Sequence, residues 1–316
     1  MIQAIDQIKS VMLGHAIADA LGVPVEFSTR SKLEKTPVTQ MMGYGTYPVP
    51  AGAWSDDTSM AVAALDCIAD GELNWESVMT AFGEWYYHDQ YTPTGELFDI
   101  GNICSKAIHN YHVLQKSVNE CGLKSEYSNG NGSLMRIHPF SLLTWYDSKA
   151  NNNWEEIIDQ ASSLTHAHER SRLACKIYTL ILHKLLEAPC KQSVYSALET
   201  AKDKFADHTE GVHYLRLWEK DLAELPSNEI RSGGYVVDSI EAAVWCLLTT
   251  DNYRDCVLKA VNLGEDTDTT AAIAGGLAGA LYGLDAIEQE WLDTLLRRDY
   301  IEEMCERAAK KWCVSR

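Results

Sequence analysis

The chain has 316 residues, 46% of them apolar, and its 27 Lys plus Arg against 45 Asp plus Glu give a formal charge of −18. The apolar share suffices for a substantial core. The charge disfavours nucleic acid, which needs a basic surface to displace counterions from phosphates, and disfavours docking on anionic lipid. Nine cysteines without a CxxC pair read as reduced core thiols of a cytoplasmic protein, not as a disulfide frame or a zinc site. The start carries Asp6 and Lys9 and has no signal-peptide hydrophobic stretch. The longest apolar run, Ala271–Leu284, is 14 residues, shorter than the ~20 a spanning helix needs.

In chain order, Ile5, Ile8, Met12 and Ala16 recur at helical spacing and predict a first helix that also carries Asp19. Gly22 and Pro24 then place Glu26 on a turn, between Val25 and Phe27. A partly apolar setting raises the pKa of such an acid and suits it to proton transfer. Residues 37–52, PVTQMMGYGTYPVPAG, predict a long ordered loop. WSDDTSM at 54–60 follows, with Asp56 and Asp57 among the hydroxyls of Ser55, Thr58 and Ser59, directly before an alanine-rich helical run. FDIGN at 98–102 supplies Asp99 and Asn102. In SNGNGSLMR at 128–136, Gly130 and Gly132 flank Asn131 and Ser133 follows, a pattern that serves either a plain turn or a loop whose N–H groups approach an anion.

The segments 147–153 and 225–234 are polar connections, neither of them an interdomain linker. His166 and His168 in THAHERS would not share a helix face, which argues against a two-histidine metal grip and leaves a contact to a base or ribose, or a structural role. Leu173, Ile177, Leu180 and Ile181, and later Ala243, Leu247 and Leu248, again have helical spacing. Asp238 with Glu241 fits a capping box at the head of SIEAAVWCLL. Gly264 ends the helix YRDCVLKAVNL, and GEDTDTTAAI opens the next helix with Asp266, Asp268 and Thr269. Gly275, Gly279 and Gly283 share one face of that helix and predict close packing on a neighbour. Alternating strand patterns and repeats are scarce or absent, so the expectation is a compact all-α bundle, one domain over residues 1–316.

Two helices therefore open on paired acids and hydroxyls. Either cluster alone reads as an N-cap with acids complementing the helix dipole. Capping needs only one or two acceptors, however, and two like charges 4 Å apart repel by about 4 kcal/mol at an effective dielectric near 20. A cation removes that repulsion. Carboxylate and hydroxyl oxygens are hard ligands, suited to Mg²⁺ or Mn²⁺ rather than zinc. An EF-hand is excluded, because Ala271 stands where its turn glycine belongs. Spacing does not say whether the clusters meet.

The ordered set GHAIADALGVPVEF, AGAWSDDTSM, FDIGN, NGNGSLMR, THAH and NLGEDTDTTAAIAGGLAGALYG resembles the ADP-ribosylglycohydrolase family over nearly the whole chain. The resemblance implies an all-α fold and a binuclear Mg²⁺ or Mn²⁺ site that grips the ribose beside the scissile bond. It implies Ser55, Asp56, Asp57, Asp266, Asp268 and Thr269 as metal ligands, and Glu26 and Asp99 as the catalytic acids. Asn102, the loop from Ser128 through Asn129, Gly130, Asn131 and Gly132 to Ser133, and His166 would meet substrate. Asn129 departs from an aromatic of some relatives, and Glu265 adds an acid. The implied reaction is hydrolysis of an ADP-ribosyl bond at C1″, on an ADP-ribosylated protein, arginine-linked first, or on a small ADP-ribosyl substrate. Alternatives are an O-linked ADP-ribose hydrolase, a non-catalytic ADP-ribose binder, or a helical metal phosphohydrolase using His88-Asp89 with His15, which would leave both acidic clusters idle.

Overall fold

The computed structural model describes residues 2–70, 73–219 and 221–313. Helix follows helix, and among the described residues there are two isolated bridges and no strand. The N-terminal helix, Ile2–Gly22, is buried at every position from Ser10 to Gly22. A helix that is apolar on all sides belongs in the centre of its protein. It is long and apolar enough to cross a bilayer by length and composition, yet most of it lies inside the protein.

The second central helix, Thr267–Tyr282, runs against the first with backbones nearly touching. A methyl at Gly279 would fall 1.9 Å from the Ser10 carbonyl oxygen, and one at Gly275 would fall 2.4 Å from that of Gly14. The expected glycine seam therefore holds for Gly275 and Gly279. It does not extend to Gly283, which has open space around it, has φ +83° and ends the helix as its C-cap. At the other end of the seam a methyl on Gly22 would sit 2.3 Å from Asp268 Cα. Close approach thus brings the first helix beside the second acidic cluster.

Residues 37–52 carry no helix, and a small apolar group of Val23, Val49 and Ala53, covered by Tyr47 and Phe98, pins this loop down. Segment 147–153 is not a plain connection. It contains the helix Ser148–Asn152, because Asp147 Oδ1 accepts the N–H groups of Lys149 and Ala150, both at 2.9 Å. The helix Val236–Leu248 lacks the expected capping box. Its first N–H is taken by the Asn129 carbonyl at 3.0 Å, which leaves Asp238 inside the first turn and Glu241 paired with Arg216 at 2.9 Å. The Tyr253–Val261 helix does end before Gly264, whose φ is +80°. All nine cysteines are free, and one apolar core runs from Ile8 to Trp312.

Candidate active site

The first cluster opens the helix Asp56–Ala69, with Ser55 as N-cap. Its own capping bond is long, 3.4 Å from Asp57 N–H to Ser55 Oγ. The stronger cap comes from another helix. The Asp19 carboxylate, fully buried, accepts the Ser55 N–H at 3.0 and 3.1 Å, the Thr58 N–H at 3.1 Å and the Thr58 hydroxyl at 2.6 Å. Asp56 and Asp57 are therefore not consumed as caps. Asp56 accepts the Gly101 N–H at 3.1 Å. Asp57 Oδ2 accepts the Thr269 hydroxyl at 3.2 Å, a bond that ties the two clusters together, while its Oδ1 is buried without a partner.

In the second cluster Asp266 Oδ2 accepts the Asn131 amide at 2.7 Å, and Asp268 Oδ1 accepts the Thr269 N–H at 2.9 Å. The clusters do meet. Carboxylate oxygens of Asp19, Asp57 and Asp268 lie within 4.8 Å of one another, and so do those of Glu26, Asp266 and Asp268. No ion pair among the described residues uses any of these acids, nor Asp56 or Asp99.

Without counter-charge the group is driven toward protonation. Burial is the main cause throughout. It pushes Asp19 up to about 6 against its hydroxyl and N–H donors. Glu26 goes up to about 8, with the charges of Asp99, Asp266 and Asp19 adding and the Tyr47 hydroxyl opposing. Asp56, Asp57 and Asp268 rise well above the usual carboxylate range, and Asp99 and Asp266 rise as well. Two oxygens of these acids, Asp57 Oδ1 and Glu26 Oε2, are buried without a hydrogen-bond partner. An all-oxygen donor set with buried, unpaired lone pairs fits hard divalent cations.

A cleft of about 410 Å³ opens over both clusters. Glu26, Asp56, Asp99, Asn102, Asp266, Asp268 and Thr269 line it, with Gly130, Asn131, Gly132 and His166. The buried Ser55 and Asp57 are not part of its lining. Ser128, Asn129 and Ser133 are buried and do not line it. Ser133 Oγ accepts the Ser162 hydroxyl at 2.9 Å, and Asn129 Oδ1 accepts that of Ser171 at 3.0 Å. Asn131 spends its N–H on the Gly234 carbonyl. The loop therefore presents its glycines rather than its hydroxyls. A methyl at Gly132 would stand 2.9 Å from His166 Cε1, so the glycine lets the imidazole reach the cleft. Burial pushes His166 down to about 3, leaving it neutral, with Nδ1 at 2.9 Å from the Thr165 hydroxyl.

Other expected features have ordinary roles. His168 is the N-cap of the helix Glu169–Glu187. His88 ends the helix Trp75–His88 on the surface, and Asp89 closes it in a left-handed conformation while accepting the Leu97 N–H. His15 is fully buried against His138, 4.1 Å between ring centroids. The phosphohydrolase reading thereby loses its dipeptide to a helix cap. Glu265 is exposed with φ +64° and stands outside both carboxylate groups. Two site residues escape sequence reasoning. Asp19 is visible as an acid on the first helix, but its capping of a helix 36 residues on is not. Tyr47, whose hydroxyl opposes the rise in the pKa of Glu26 and Asp99, is one tyrosine in a Gly- and Pro-rich loop and carries no signal at all.

An all-helical protein with two carboxylate groups that share the cleft-lining Asp268 presents an oxygen-rich site suited to hard divalent cations. The chain belongs to the ADP-ribosylglycohydrolase family, whose model matches residues 2–316, and it is a glycohydrolase. It is 32% identical over 306 residues to an ADP-ribosylarginine hydrolase Tri1 of Pseudomonas putida, covering 96% of this chain and 78% of that protein. It is 28% identical to the ADP-ribosyl-[dinitrogen reductase] glycohydrolase of Rhodospirillum rubrum, over 92% of this chain and 90% of that one. Among solved structures, an ADP-ribosylglycohydrolase-related protein complex superposes with a TM-score of 0.82 at 25% identity, covering 98% of this chain and 99% of that one.

Proposed function

We propose that the protein removes ADP-ribose from arginine on ADP-ribosylated protein by cleaving the C1″ glycosidic bond, acting as one domain in the cytoplasm. The observation that carries this reading is the pair of carboxylate groups meeting at Asp268 in the lining of the cleft. The two relatives named for arginine and for dinitrogen reductase favour the protein-linked arginine substrate. Two divalent cations, Mg²⁺ or Mn²⁺, would be held by Ser55, Asp56, Asp57, Asp266, Asp268 and Thr269. Bound there, such ions supply a grip on the ribose hydroxyls and lower the pKa of a bound water.

The chain's own residues do the rest. Asp19 holds Ser55 and Thr58 so that the Asp56 and Asp57 carboxylates point up into the cluster. Glu26, buried and beside the Tyr47 hydroxyl, carries the proton of the leaving group or of the attacking water, as glycoside cleavage through an oxocarbenium-like transition state requires. Asp99 shares Tyr47 and sets its orientation. Neutral His166 offers a polar contact to the nucleoside side, Asn102 one at the rim, and Gly130 to Gly132 allow the diphosphate to approach.

Release of free ADP-ribose from an arginine-ADP-ribosylated protein tests the proposal, with Mg²⁺ or Mn²⁺ and with EDTA. Metal-dependent release is expected. Release only from serine-linked substrate would overturn the arginine linkage, and ADP-ribose binding without any release would overturn catalysis.

A further inference from the structure

Phe27 stands where its residue type is least expected. Val25 to Ser28 form a tight turn closed by the Ser28 N–H on the Val25 carbonyl at 2.9 Å. Glu26 has φ −50° and ψ 143°, and Phe27 has φ +63°. That is the pattern of a type II turn, whose third position calls for glycine or asparagine. A bulky side chain there is strained, and such strain persists only where the surroundings over-determine it. They do so here. The Phe27 N–H donates to the Glu265 carbonyl at 2.7 Å, and the Glu265 N–H donates to the Ser28 carbonyl at 2.8 Å. Glu265 is itself left-handed, with φ +64°. This clamp joins the Glu26 turn to the Asp266 cluster.

The ring gains no burial from the arrangement. Phe27 is 70% exposed, yet it lines the cleft together with Glu26, Asp99 and Asp266. A group leaving C1″ past Glu26 would meet an aromatic face set in an acidic wall. Planar cations are the chemistry that suits both features, since a guanidinium stacks on an aromatic ring and is attracted by carboxylates.

We infer that Phe27 is a specificity-determining residue whose ring packs on the leaving group and selects a guanidinium acceptor. This rests on the reading of the site as an ADP-ribosyl-arginine hydrolase. Phe27→Leu keeps an apolar side chain at the same strained backbone but loses the π face, while Phe27→Tyr keeps it. The full chain, supplied with Mg²⁺ or Mn²⁺, is assayed on an ADP-ribosyl-arginine peptide and on an ADP-ribosyl-serine peptide, with ADP-ribose affinity measured by calorimetry. In Phe27→Leu, kcat/KM for the arginine peptide should fall about fivefold, the upper end of the loss expected for an exposed cation–π contact. Residual turnover of the serine peptide and affinity for ADP-ribose should stay within about twofold of wild type, and Phe27→Tyr should restore arginine turnover. Equal losses on both peptides, or an equal loss of ADP-ribose affinity, would overturn the inference by placing the ring on the nucleotide side. Wild-type cleavage of the arginine peptide with Phe27→Leu unimpaired would sink the inference alone. Wild-type cleavage of the serine peptide only would sink it together with the arginine reading.

Discussion

The two acidic helix starts look alike in sequence and are built differently. At Asp56–Ala69 the capping acceptor is imported: Asp19, from the N-terminal helix, takes the N–H groups and the hydroxyls of Ser55 and Thr58, which leaves the local acids free. At Thr267–Tyr282 the side chain of the N-cap residue Asp266 makes no capping bond to the helix. There the acids are steadied from the side, Asp266 by Asn131 and Asp268 by the Thr269 N–H. The first start separates the work of closing a helix from the work of presenting carboxylates. The second makes no side-chain capping bond, and its carboxylates are held by Asn131 of the 128–133 loop and by the Thr269 N–H. Asp268 is the point where both meet, since it belongs to both carboxylate groups.

That shared position predicts the largest effect. Asp268→Asn should abolish divalent-cation binding by calorimetry and reduce ADP-ribose release to background. Normal turnover in this variant would remove the cluster from the mechanism. Glu26→Gln should separate binding from chemistry. It should keep the cations but lose roughly 10²- to 10⁴-fold in kcat, the range for a missing general acid or base. An unchanged rate would transfer the role to Asp99.

A third expectation concerns charge. A carboxyl whose folded pKa is raised keeps a proton that the unfolded chain has already released. Stability therefore falls as pH rises through the window between the unfolded and folded values. Asp19 at about 6 and Glu26 at about 8 set that window at pH 4 to 8. In EDTA the melting temperature should drop by roughly 5 °C between pH 5 and pH 8. Saturating Mg²⁺ or Mn²⁺ should flatten or reverse the slope, because cations stabilise the ionised forms. Equal slopes with and without metal would mean that the cations bind elsewhere.

Much of this site is legible in the sequence because acids and hydroxyls crowded at a helix start are a local pattern. Helical periodicity marks the buried helices for the same reason. Non-local assignments fail. Asp19 announces its charge but not the helix it caps. The Asn129 carbonyl replaces the expected Asp238–Glu241 box, and a backbone acceptor leaves no trace in residue type. Ser128, Asn129 and Ser133 are buried while Gly130 and Gly132 line the cleft, and Asn129 and Ser133 are held inside by Ser171 and Ser162, partners far off in sequence. Gly283 continues the i, i+4 spacing of the glycine seam, yet its positive φ makes it a helix end.

The difference between the two helix starts has its own test, and its effects are the smallest. Asp19→Ala would leave the Ser55 and Thr58 N–H groups buried without an acceptor. Each such group costs about 1–3 kcal/mol, and relief of repulsion within the cluster offsets part of it. A net loss of about 2–3 kcal/mol in urea unfolding with saturating Mg²⁺ is expected. Asp19→Asn, which keeps one acceptor oxygen, should cost less. Asn131→Ala removes a single donor from Asp266, which has no capping bond to lose, and should cost about 1 kcal/mol. Its consequence should instead be weaker cation binding, since Asp266 loses the group that orients it. If Asn131→Ala destabilised the fold as much as Asp19→Ala, the 128–133 loop would be holding the second helix start closed. The separation of capping from carboxylate presentation would then not distinguish the two clusters.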